Sequence, residues 1–207
     1  TAGSGGIAFS GGVTQTVGGG GGIGTITFGS SATVKAGTTL ALSRALTFTA
    51  GSLTVNGNLT LNAGGSITPA PTYGSTATLA YAAPATVGNE WGTGTSVGLG
   101  VPRNVTVAAA GTVSMPVTDR SVPGDLTISS GTLAMNAGGG TLSVGGNWTS
   151  SGTFTPAGRT VVINGTATQT LSRAGGETLF ALQVNKSAGN LVLASSPATD
   201  LTLTGNS

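Results

Sequence analysis

Five carboxylates stand in the 207-residue chain, at Glu90, Asp119, Asp125, Glu177 and Asp200, and no histidine accompanies them. Acid–base cleavage of a polysaccharide needs two carboxyl groups flanking one bond. Asp119 beside Arg120 is the local acid–base cluster, and its plainest reading is a solvated loop ion pair. A Ser-His-Asp relay lacks its base, and zinc lacks the imidazoles and thiolates that would hold it. Calcium wants several carboxylates in one loop, and no Asp-rich repeat is present. The run Gly18–Gly22 precedes no Lys-Ser/Thr and opens no helix, so it reads as a flexible turn, not a phosphate cradle. No catalytic residue, metal ligand or cofactor is expected.

Aromatic and polar side chains remain as candidates for binding. Trp91, in "GNEWGTG" with Tyr73 and Tyr81 upstream, is the candidate exposed aromatic for a sugar contact. Trp148 and Phe154 align with Leu59 and Ile67 of an earlier stretch and are expected in the core. Thr-x-Thr recurs at 14–16, 25–27, 47–49, 76–78, 93–95, 153–155 and 168–170. An array of this kind could bind ice, but the spacing along the chain is irregular and strands favour Thr in any case. Five Asn-x-Ser/Thr sequons, at Asn58, Asn104, Asn147, Asn164 and Asn185, are candidate glycosylation sites. Glycans there would give a charge-poor surface a polar coat.

The elements that carry these residues show a period of two. "LTFTAGSLTVNGNLTL", "LTISSGTLAM", "TLSVGGNW" and "NLVLA" alternate apolar residues with Thr, Ser or Asn, and Gly or Asn-Gly breaks each run. Short strands with one buried face, separated by tight turns, have this pattern. Asn and Gly suit the turns because they accept positive φ at little cost. No stretch has a capped 3.6-residue period, so the chain is read as all-β.

The pattern repeats at long range. "IAFSGGVTQTVGGGGG" (7–22) aligns without gaps on "VVINGTATQTLSRAGG" (161–176), and "NGNLTLNAGGSITPAP" (56–71) matches "GGNWTSSGTFTPAG" (145–158). Leu46, Leu126 and Leu201 align, which predicts one inward column for them and another for Leu59 and Trp148. Asp125 and Asp200 stand at equivalent positions, where the first copy has Ala45, and read as turn or edge devices. Glu177 replaces Ile23 of the first copy and reads as a surface substitution. Three copies result, at about 1–70, 71–157 and a truncated 158–207, within a single repetitive domain. The expected architecture is a parallel β-helix, a β-solenoid of coils of about 20 residues, with strands ~4.8 Å apart and a rod about 50 Å long. Tandem β-sandwich modules are the alternative, although such domains need ~100 residues each.

Composition narrows the function classes. Charged residues make up 6% of the chain, against roughly 25% in ordinary domains. Seven cations against five anions are too sparse for a nucleic-acid footprint. No apolar run approaches the ~20 residues of a membrane span. Disorder is not expected, because mean hydropathy is positive and net charge is only +2.

"GNWTSSGTFTPAGRTVVINGTATQTLS", followed by "LFALQVNKSAGNLVLAS" and "DLTLTGN", resembles the repeat regions of very large secreted bacterial surface proteins of the filamentous-haemagglutinin type. The resemblance is strong over the third copy and the end of the second, and degenerate before that. It implies an extracellular or cell-surface, non-enzymatic role as a building block of a filament or adhesin stalk. The other readings are a carbohydrate-binding adhesin segment, which needs an exposed aromatic patch, and a polysaccharide-degrading β-helix enzyme. The third copy stops mid-unit and neither end has a polar cap, as solenoids need to stay monomeric. Ile7, Phe9, Val13 and Val17, in a stretch with no charge before Lys35, are therefore expected to pair head-to-tail with another copy. Carbohydrate or a host surface is the other candidate partner.

Overall fold

The computed structural model describes residues 6–18, 24–196 and 198–205. Of the run Gly18–Gly22, only Gly18 lies among them. The chain winds as a parallel β-solenoid of about nine coils, with no helix among the described residues. Tandem sandwich modules do not occur. None of the described residues forms a helix long and apolar enough to cross a membrane.

Each coil but the fifth contributes strands to three faces. The second face is continuous, from Thr14–Val17 through Thr39–Leu42, Asn58–Leu61 and Thr78–Tyr81 to Asn104–Ser114, then on to Leu191–Leu193. Every named strand pair is parallel, so each coil hands its open backbone edge to the next. The period of two places Leu40, Leu59, Leu79, Val105, Leu126, Trp148 and Leu171 in one inward column, in strict register. These side chains are essentially inaccessible to water. Trp148 lies edge-on to Phe154, with ring centroids 4.9 Å apart.

The expected columns are half right. Leu46 and Leu126 are buried and Leu201 half-buried, but they do not stack together. Leu126 shares its column with Leu59 and Trp148, whereas Leu46 pairs with Ile26 and Ile67 on the third face, and Leu201 pairs with Glu177. All three faces obey the same Thr–apolar alternation, so sequence alignment matches strands of different faces.

Two strands bend across a corner without breaking. Asn104–Ser114 and Leu126–Ala134 pair along both halves, with register shifts between Val107 and Thr112. Gly131 makes the bend possible, with φ at 66° and a position where any Cβ would run into the carbonyl oxygen of Ala109.

Leu126→Ala should cost about 2–5 kcal/mol, because no neighbouring coil can collapse independently into the void. Chemical denaturation read by circular dichroism measures this. A loss below 1 kcal/mol would contradict the column.

Candidate functional site

The first face is interrupted. Its strands Ile7–Phe9, Ala32–Val34, Leu53–Val55 and Thr72–Tyr73 form one sheet, and Arg120–Val122, Leu142–Val144, Thr160–Ile163 and Ala181–Val184 form another. Between them, where the fifth coil would supply a strand, lies the Gly-rich stretch 87–103. Its far end bonds to the strand before the gap: Tyr73 N–H donates to the Gly98 carbonyl (2.9 Å) and Gly100 N–H to the Pro71 carbonyl (2.7 Å). The loop closes on itself where Gly92 meets Gly100, since neither residue has a side chain to hold the two backbones apart.

The stretch turns Glu90 and Trp91 into the core. Glu90 Oε1 accepts from the Tyr81 hydroxyl at 2.9 Å and from Gly88 N–H at 2.8 Å. The Tyr73 hydroxyl donates to the main-chain carbonyl of Glu90 at 2.8 Å. Trp91 Nε1–H donates to the Ser121 carbonyl at 2.9 Å, bonding the loop to the first strand beyond the gap. Arg120, on that strand, points inward in register with Leu142. Its Nη1 donates to Thr118 Oγ1 and the Asp119 carbonyl, while Nε is buried without a partner.

This cluster overturns two expectations. Trp91 has 0% of its surface exposed and offers no sugar platform. Its indole fills the missing strand's place, which a tryptophan flanked by loop glycines does not reveal in sequence. Asp119 and Arg120 do not form a solvated ion pair either. The Asp119 carboxylate accepts from Thr141 N–H at 2.8 Å, and the guanidinium is buried. Sequence reasoning missed Glu90, Tyr73 and Tyr81 as one group. The available signal was the loss of alternation over 87–103, directly after the chain's two tyrosines.

Burial, and then the Glu90 charge, hold both tyrosines well above the ordinary phenol range. Burial lowers the Arg120 pKa, against the opposing pull of Tyr81, Glu90 and Asp119. A phenol whose folded pKa is raised contributes stability that is intact below its unfolded value, about 10. That contribution is lost as pH rises towards the folded value. Tyrosinate absorbance at 295 nm should therefore stay flat above pH 10 and rise only with unfolding. A free titration near pH 10 in folded protein would contradict the buried placement.

A second buried carboxylate corrects the reading of Glu177 as a surface substitution. Glu177 is inaccessible, pairs with Arg173 Nη1 at 2.7 Å and accepts from Trp148 Nε1 at 3.0 Å. Asp125 behaves as the turn device expected of it. Asn104 Oδ1 accepts from Asp125 N–H, Asp125 Oδ1 from Asn147 N–H, and Asn147 Oδ1 from Thr170 N–H, at 2.7–2.9 Å. Each rung joins one coil to the next at the same corner. A neighbouring corner is tied by Gln169 and by Lys186, whose Nζ donates to the carbonyls of Gly165 and Ala167.

Asn58, Asn147, Asn164 and Asn185 are exposed and Asn104 is half-buried. Asn58, Asn104 and Asn147 lie on the second face, in one outward line at alternate coils. Asn164 borders a shallow polar groove of about 320 Å³ with Arg103, Pro123, Gly145 and Thr166. At the first coil, Ile7 and Val13 are exposed and Phe9 and Val17 half-buried; at the ninth, Val184, Leu193 and Leu203 are exposed. No family model, curated protein or solved structure matches the chain.

Proposed function

We propose that the protein is a non-enzymatic structural rod of the cell surface or extracellular space, a building block of a filament or adhesin stalk. The supporting observation is the form of the two outermost coils. Each offers one strand per face: Ile7–Phe9, Thr14–Val17 and Ile26–Phe28 at one end, and Ala181–Val184, Leu191–Leu193 and Leu201–Leu203 at the other. Each has one edge paired inside the rod and exposes apolar side chains, with Val13 59%, Val184 52% and Leu203 52% accessible. All strands run parallel, so one end can add to the other end of a second copy and continue all three sheets. Strand addition of this type recruits backbone hydrogen bonds, and a head-to-tail contact produces an open fibre unless its rotation closes a ring.

Extracellular placement is supported by a charge-poor composition with five sequons and by the resemblance of the "GNWTSSGTFTPAG" segment to secreted repeat proteins. The carbohydrate-binding alternative loses its strongest support with the burial of both tryptophans. For the enzyme alternative, Glu90 and Glu177 are sealed in the core and Asp119 and Asp125 hold backbone N–H groups.

Sedimentation velocity tests the association. The intact chain should sediment as multimers that grow with concentration, and Val13→Lys with Leu203→Lys should shift it towards monomer, because edge lysines oppose strand addition. An intact chain that remains monomeric at high concentration would defeat the head-to-tail reading.

A further inference from the structure

We propose that two copies join in one rotational setting, with each first-coil strand lying on the ninth-coil strand of its own face in the other copy. The setting rests on the head-to-tail reading above and goes further, because a coil with three faces can be mounted on another in three rotations. The six strands concerned all stand at the edge of their sheets. Val184, Leu193 and Leu203 are 52%, 39% and 52% exposed, whereas their partners one coil earlier, Ile163, Leu171 and Leu179, are 1%, 0% and 0% exposed. At the other end Ile7 and Phe9 head the columns of Ala32 and Val34, Gln15 that of Leu40, and Ile26 and Phe28 those of Leu46 and Phe48. With like faces joined, Leu182 and Val184 meet Ile7 and Phe9, Leu193 meets Gln15, and Leu201 and Leu203 meet Ile26 and Phe28. Gln15 is the one polar residue among them, and its amide already donates to the Ser10 carbonyl of its own coil.

Apolar burial alone does not choose the rotation, because nearly every inward position at both ends is apolar. Two other features do. The connection from Val17 to Ile26 and that from Leu193 to Leu201 are the longest of their coils, and only the like-face setting puts them at one corner. On the third face the outward residues in register are Thr178 and Thr202 at one end, and Thr27, Thr47 and Thr68 at the other. The like-face setting makes one row of these threonines, and rotation by a face breaks it. Thr–Thr pairs on neighbouring strands are favourable.

The backbone fixes the register within that setting. On all three faces the N–H after an inward residue donates to the carbonyl of that residue's partner in the coil before: Asn185 to Ile163, Ala194 to Leu171 and Thr204 to Leu179, at 2.8–2.9 Å. Continued across the joint, the same rule directs the N–H groups of Ser10, Thr16 and Gly29 to the carbonyls of Val184, Leu193 and Leu203 in the other copy. Each face of the joint then has the hydrogen-bond pattern of an interior pair of coils.

The chain has no cysteine, so engineered disulfides can read the setting. Thr27→Cys is combined in turn with Thr202→Cys, Gln183→Cys and Val192→Cys, one partner for each rotation; all four side chains are exposed and point outward. Within one chain the paired sites lie about 38 Å apart, eight coil steps of ~4.8 Å, so every bridge formed is between copies. Thr27→Cys/Thr202→Cys should place the two Cα atoms ~4.8 Å apart, inside the range of a disulfide. Oxidised at assembling concentration, with circular dichroism unchanged, it should give a ladder of covalent multimers on non-reducing electrophoresis. The other two pairs, held beyond the ~7 Å reach of a disulfide, should give roughly tenfold less, and Thr27→Cys alone should stop at the dimer. A larger or equal yield from the Gln183 or Val192 pair overturns the setting and leaves head-to-tail assembly standing, as does failure of all three pairs to cross-link in variants that still sediment as multimers. Variants and intact chain that sediment only as monomers overturn both.

Discussion

Glu90→Ala is expected to cost about 3–5 kcal/mol, a large share of the stability of an ordinary domain. The substitution removes the acceptor of the Tyr81 hydroxyl and of Gly88 N–H, and each orphaned buried donor costs roughly 1–3 kcal/mol. It also strips Arg120 of the buried carboxylate whose field opposes the desolvation of the guanidinium. The whole stretch 87–103 depends on that anchor, so the loss should appear locally as well as globally. Trp91 emission should shift to the red well below the melting temperature, as the indole leaves the Ser121 carbonyl. Glu90→Gln keeps an acceptor oxygen and should lose clearly less. Equal losses for the two variants would show that volume, not hydrogen bonding, holds the loop.

Arg173→Met is expected to cost about 3–5 kcal/mol, because it leaves the sealed Glu177 carboxylate with no cation. Arg173 is only a quarter exposed, so solvent screens the pair weakly. Adding Glu177→Gln should recover most of the loss, since the amide is neutral and its oxygen can still accept from Trp148 Nε1. The double-mutant cycle, read by denaturation, isolates the pair energy. Additive single losses would mean that the two side chains do not interact in solution.

How legible the fold was in the sequence varies by level. "LTVNGNLTL" carries the alternation of a half-buried strand and its Asn-Gly corner, and the equivalence of Leu59 and Trp148 follows from matching residue types. Coil phase was not legible: Leu46 and Leu126 precede the same "T" and occupy different faces, because nothing in a two-residue period says which face a strand joins. The interior polar groups were hidden for a related reason. Glu90 and Glu177 look like surface residues until Tyr81, on the coil just before the loop, or Trp148, on the preceding coil, is brought against them.

The central claim, a rod that extends itself end to end, is most directly tested by electron micrographs of the intact chain at increasing concentration. Fibres one rod wide should form, with an axial repeat of about 43 Å, the rise of nine coils at ~4.8 Å each. Single particles of monomer size at every concentration would contradict it.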